Sequence, residues 1–143
     1  CGKIYKEEID AFMVEHKNVN VYHTHFIQRM DLAYAAADIV ISRAGAGTIS
    51  ELCVAGKCTI FVPSPNVAED HQTHNAMALV NKDAAILVRD EDAAETIIPL
   101  ALDTVADTER LQQLGQNAAA LALRDSARII AQEVIKLAQQ KLP

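Results

Sequence analysis

Short apolar runs rich in β-branched residues alternate with helical stretches through the first part of this chain, and that alternation restricts its fold more than any other feature. The runs are Val19–Tyr22, Ile39–Ile41, Thr59–Val62 and Ala85–Val88. Those at 39–41 and 59–62 are nearly free of polar residues, as strands covered on both faces of a parallel sheet must be. Helical patterns fill the intervals at Lys3–His16, Met30–Ala36, Thr48–Ala55 and His71–Lys82. Each interval is long enough for a crossover helix, so the pattern predicts repeated βαβ units. The expected fold is α/β: a right-handed, Rossmann-like parallel sheet with helices on both faces. From Glu91 to Gln140 no strand signal remains, and three helical segments are predicted. Pro99 should interrupt the first of them or lie in its first turns. Leu111, Leu114, Ala118 and Leu121 repeat at helical spacing, as do Ala127, Ile130, Val134 and Leu137. Gly115 interrupts the former as a soft spot. With no internal repeat or linker, residues 1–143 read as one domain.

The 143 residues are 50% hydrophobic and 22% charged, which suits an ordinary globular domain and excludes a disordered or coiled-coil chain. No apolar run reaches the ~18 residues of a membrane span, so a cytoplasmic protein is expected. The net charge of −6 argues against a nucleic-acid partner. It is unevenly spread: up to Lys57 there are six basic and seven acidic residues, and beyond it seven and twelve. The nearly neutral front part leaves room for an anionic ligand held by local geometry. The odd set Cys1, Cys53 and Cys58 suggests reduced, buried thiols at positions 53 and 58 rather than a disulfide framework. A start at Cys1-Gly2-Lys3 points to an excised domain.

In open α/β sheets ligands lie beyond the carboxyl ends of the strands. After the run at 39–41 comes Ser42-Arg43-Ala44-Gly45-Ala46-Gly47-Thr48-Ile49-Ser50-Glu51. Gly45 and Gly47 permit close backbone approach, and a helix starting near Ala46 would turn its N–H groups towards a phosphate, with Arg43 adding charge. Turn glycines without a ligand explain the same spacing. The loop lacks the Lys-Ser/Thr pair of a Walker A motif. Glu51 fits either a capping box with Thr48 or an acceptor for a ribose diol. The loop after Thr59–Val62 contains two prolines and leads to His71, Gln72 and Asn75, which share a helix face suited to sugar hydroxyls. A metal reading of His71-x-x-His74, with His23 and His25, lacks a general-base Glu and a clear third ligand. The third loop, His23–Met30, offers Phe26 and Met30 to a flat heterocycle or, equally, to a core. These loops suit a nucleotide-sugar, and no nucleophile–base pair emerges.

Residues Asp31–Leu52, then Val62-Pro63-Ser64-Pro65 and Asp70–Ala76, closely resemble the MurG family. These are GT-B glycosyltransferases of family 28, which transfer N-acetylglucosamine from UDP-GlcNAc to undecaprenyl-pyrophosphoryl-muramoyl-pentapeptide (lipid I to lipid II) in peptidoglycan synthesis. The resemblance implies the donor-binding C-terminal domain of an inverting hexosyltransferase that uses no metal or other cofactor. It puts Phe26, Ile27 and Met30 at the uracil, Glu51 at the ribose and Ala46, Gly47 and Thr48 at the diphosphate. His71, Gln72 and Asn75 fall at the GlcNAc or its phosphate. It also implies that the family's Gly-Gly-Ser phosphate loop and lipid-I-binding N-terminal domain are missing. No catalytic residue is then expected in this chain, and the fragment alone should be inactive. The full-length protein would sit peripherally on the cytoplasmic face of the inner membrane. The departures are Cys58 where the family commonly has Pro, Asp83 where it often has Gly, and a position 71 that varies between Gln and His. Rival readings are a UDP-GlcNAc epimerase, a stand-alone donor-binding subunit of a split membrane glycosyltransferase and a UDP-binding regulator. The Ile130, Val134 and Leu137 stripe is expected to be partly bare and open to dimer contacts.

Overall fold

The computed structural model describes residues 5–16, 20–65 and 70–140. The chain divides into two compact units, residues 1–36 and 37–143. The first contains helices α1 (Lys6–Glu15) and α2 (Met30–Ala36). Asn20, Val21 and Tyr22, expected in a first strand, join no strand, and Val19 lies outside the described residues. β-branched composition favours a strand only where a neighbour completes its ladder, and Tyr22 stands 92% exposed.

The second unit is a three-stranded parallel sheet in the order β1 (Ile39–Ser42), β2 (Cys58–Phe61), β3 (Ile86–Leu87). The connections run through α3 (Ala46–Ala55) and α4 (His71–Val80), which gives the expected βαβαβ order. All four residues of β2 are buried, so both of its faces are covered. Ile60, Val62, Val88 and Ala101 form a core cluster, with Ile97 and Leu100 packed against it. A 3-10 turn, Asp90–Asp92, leads into α5 (Ala93–Ala106), followed by α6 (Thr108–Ala120) and α7 (Ser126–Gln140). Pro99 lies inside α5 without ending it.

Helix α6 buries Leu114, Gly115 and Ala118 and packs on α3 and β2. α3 ends at Gly56, whose φ of 62° is the left-handed conformation that lets Lys57 N–H return to the Leu52 carbonyl at 3.2 Å. On α7, Ile130, Val134 and Leu137 are at least 60% exposed, as the stripe predicts. Cys53 and Cys58 are free, buried thiols, and burial pushes Cys58 up to about 11. Among the described residues no helix is long and apolar enough to cross a membrane.

After α4 the chain turns through Asp83, at φ 53°, a left-handed position that Asp tolerates in place of Gly. Its carboxylate accepts from Arg110 at 2.7 and 2.8 Å, and its carbonyl accepts from Asn117 Nδ2 at 2.8 Å. The Arg110 guanidinium holds the Asp83 carboxyl below the usual carboxylate range. A depressed folded-state value adds stability above the unfolded carboxyl pKa of about 3.9, lost as pH falls through the folded value. Asp83→Asn keeps the left-handed turn but removes the ion pair. Thermal melts should therefore show the variant below the parent at pH 7, with the gap narrowing once pH falls below the free carboxyl value of about 3.9 and closing only below the depressed folded value.

Candidate functional site

The β1–α3 loop reaches the sheet's carboxyl end and leads directly into a helix N-terminus. Gly45, extended at φ −68° and ψ 143°, is the N-cap of α3, and no side chain caps the helix. The first helical hydrogen bond is Ile49 N–H to the Gly45 carbonyl at 3.0 Å. The N–H groups of Ala46, Gly47 and Thr48 therefore precede the intrahelical ladder, at the positive end of the helix dipole. This corrects the capping-box reading of Thr48. The helix starts at Ala46, as the loop reading expects, so Thr48 is the third helical residue rather than the cap. Gly45 lies just outside the helix and Gly47 inside its first turn.

Space surrounds the Cα positions of the two loop glycines. A Cβ built on Gly47 meets nothing within 4 Å, and one on Gly45 meets only Thr48 Oγ1 at 3.9 Å. Neither glycine has a positive φ. Packing and backbone strain therefore give no reason for a hydrogen side chain at position 47. Glu51 is exposed one turn further along the helix.

Helix α4 fixes this loop. Gln72 Oε1 accepts from Ala44 N–H at 3.3 Å and from Ser64 N–H at 2.9 Å, while Asn75 Nδ2 donates to the Ala44 carbonyl at 3.3 Å. The two amides thus hold both polar groups of one fully buried backbone residue. Fixing Gln72 Oε1 on two N–H donors also sets the direction of its NH2, which remains chemically able to donate. His71 is the exposed first residue of α4. Asp70 before it sits at φ 53°, with Thr73 Oγ1 donating to its carboxylate at 2.6 Å.

Arg43 is engaged at the strand ends. Its Nη1 donates to the carbonyls of Val62 at 3.1 Å and Pro63 at 3.2 Å and pairs with the Asp90 carboxylate. The charge expected for a phosphate is here shared with Asp90. Sequence reasoning missed Ala44, Ser64 and Asp90. Asp90 had a signal, because it follows Ala85–Val88 at a strand's carboxyl end. A cleft of about 400 Å³ beside Pro63–Pro65 carries Asp70, Asp90 and Glu91 against one Arg89. Asp90 of that rim pairs with Arg43 and Glu91 with Arg89.

Phe26, Ile27 and Met30 belong to the first unit and are exposed by 79%, 43% and 38%. The Phe26 carbonyl accepts from Thr24 Oγ1 at 3.1 Å. Exposure removes the plain core-packing reading of Phe26. Among the described residues, His71 and His74 do not gather with a third metal ligand.

Residues 1–136 match the glycosyltransferase family 28 C-terminal domain. The chain belongs to that family. This family 28 domain is 58% identical over 140 residues to the UDP-N-acetylglucosamine--N-acetylmuramyl-(pentapeptide) pyrophosphoryl-undecaprenol N-acetylglucosamine transferase of Bacteroides fragilis, covering 97% of the chain and 37% of that relative. It is 57% identical over 139 residues to the transferase of the same name from Bacteroides thetaiotaomicron, covering 96% and 37%. The crystal structure of Acinetobacter baumannii MurG superposes with a TM-score of 0.82 at 28% identity, covering 95% of this chain and 40% of that one. The family 28 domain thus spans little more than a third of the length of these curated relatives.

Proposed function

We propose that this family 28 domain binds UDP-GlcNAc as the donor half of the glycosyltransferase that converts lipid I to lipid II. The observation that carries the reading is the uncapped start of α3 with open space at Gly47, next to an exposed Glu51. Three convergent N–H groups and a helix dipole suit a diphosphate, and a carboxylate one turn on suits the ribose diol. His71, Gln72 and Asn75 address the sugar or its phosphate. The family resemblance assigns the base to Phe26, Ile27 and Met30.

The reaction is inverting: the acceptor hydroxyl attacks the anomeric carbon as UDP departs, and the backbone donors of α3 stabilise charge growing on the leaving diphosphate. The general base and the lipid-I site belong to the N-terminal domain of the whole enzyme, which works peripherally at the cytoplasmic face of the inner membrane. This domain alone is then a binding module without turnover. The apolar stripe of α7 serves a contact with that domain or with a second copy.

Calorimetric titration with UDP-GlcNAc, UDP and UDP-GalNAc tests the reading. Saturable binding that prefers UDP-GlcNAc is expected. Glu51→Ala removes charge-assisted hydrogen bonds worth about 1.5–3 kcal/mol, a loss of roughly 10- to 150-fold in affinity. Equal binding of all three ligands would make this a general UDP module. Unchanged affinity in Glu51→Ala would remove Glu51 from the ribose.

A further inference from the structure

The first unit contains a cluster that the donor reading does not use. Asp10, in the middle of α1, meets His23 and His25 from the non-helical segment that precedes α2. One ligand atom from each of the three lies within 4.8 Å of the others. His25 Nε2 is 3.2 Å from Asp10 Oδ1, and His23 Nδ1 is 3.8 Å from the same oxygen. The imidazoles meet edge to face, with centroids 4.9 Å apart and planes at 82°.

We propose that Asp10, His23 and His25 form a binding site for a zinc-class divalent cation. The distances carry the argument. Ligands about 2.0–2.1 Å from a tetrahedral zinc lie roughly 3.3 Å apart. The Asp10–His25 separation already has that length, and the Asp10–His23 separation of 3.8 Å is too long for a direct hydrogen bond. A central ion would hold all three groups at once, which the direct Asp10–His25 contact at 3.2 Å does not. The i, i+2 spacing of His23 and His25 puts both rings on one side of an extended segment, and Asp10 supplies the third ligand from a separate element.

Two imidazoles and one carboxylate are a borderline donor set, which suits Zn²⁺ or Co²⁺ better than Mg²⁺ or Ca²⁺. The side chains are 20–45% exposed, so an ion can enter and water can complete the coordination. The ion would tie α1 to the segment at 23–25, and this site is independent of the sugar-nucleotide reading.

The test uses the untagged 143-residue chain titrated with Zn²⁺ by calorimetry and with Co²⁺ by visible absorption. One equivalent should bind, with the intense d–d bands of four-coordinate Co²⁺ and no thiolate-to-metal charge-transfer band. Asp10→Asn and His25→Ala should each weaken binding at least about tenfold, and His74→Ala should leave it unchanged. Far-ultraviolet circular dichroism checks that each variant is folded, and the parent's Co²⁺ spectrum reports the ligand type without any substitution. Unweakened binding in both site variants, a loss in His74→Ala, a thiolate band or no binding to the parent would each overturn the proposal.

Discussion

Gly115→Ala is expected to be the most destabilising small substitution in the second unit. A Cβ at position 115 would stand 2.6 Å from the backbone carbonyl oxygen of Gly56, closer than real Cβ contacts come. That carbonyl cannot swing aside, because Gly56 is held at φ 62° as the cap that ends α3 and feeds β2. Either α6 lifts away, exposing Leu114 and Ala118, or the cap is lost with its bonds to Leu52 and Cys53. Overpacking of this kind costs about 3 kcal/mol at the upper end of its usual range. The intrinsic preference of a helix for alanine over glycine returns only about 1 kcal/mol. The net loss of about 2 kcal/mol should lower Tm by roughly 8 °C, read in a thermal melt. Gly56→Ala should also destabilise, through its positive φ and the 3.3 Å approach of Ala119 Cβ. Because the two glycines face each other, the double variant should depart from the sum of the singles.

That contact marks where sequence patterning stopped being informative. The apolar runs at 39–41 and 59–62 identify β1 and β2 because strands buried on both faces leave no room for polar alternation. Met30–Ala36 and the start of α4 at His71 were equally legible, and the tail resolved into its three helices. Gly115 carried only a helix-breaking penalty in the sequence. Its reason, another backbone against its Cα, lies 59 positions away at Gly56. Val19–Tyr22 had the composition of a strand, but no residue pattern reveals whether a neighbouring strand completes the ladder. Within the site, Gln72 and Asn75 were recognised as a convergent amide pair suited to sugar hydroxyls. Their hold on Ala44 was hidden, because backbone hydrogen bonds leave no periodic trace.

Gly47→Ala separates function from stability most sharply. The added methyl meets no protein atom within 4 Å, and the residue lies in the first turn of α3 without positive φ. The fold should accept alanine freely and gain up to about 1 kcal/mol from its helix propensity, so Tm should hold or rise slightly. If the N–H groups of Ala46, Gly47 and Thr48 cradle a diphosphate, that same methyl occupies space the ligand needs. Displacing the phosphates by even an ångström would forfeit hydrogen bonds to a charged group, each worth about 1.5–3 kcal/mol. UDP-GlcNAc affinity should therefore fall by roughly 100-fold, about 2.7 kcal/mol, in a protein as stable as its parent. UDP should lose as much, because the damage lies at the diphosphate and not at the sugar. A variant that unfolds would contradict the open space at position 47. A stable variant that binds UDP-GlcNAc as tightly as the parent would show that the diphosphate lies elsewhere than at the start of α3.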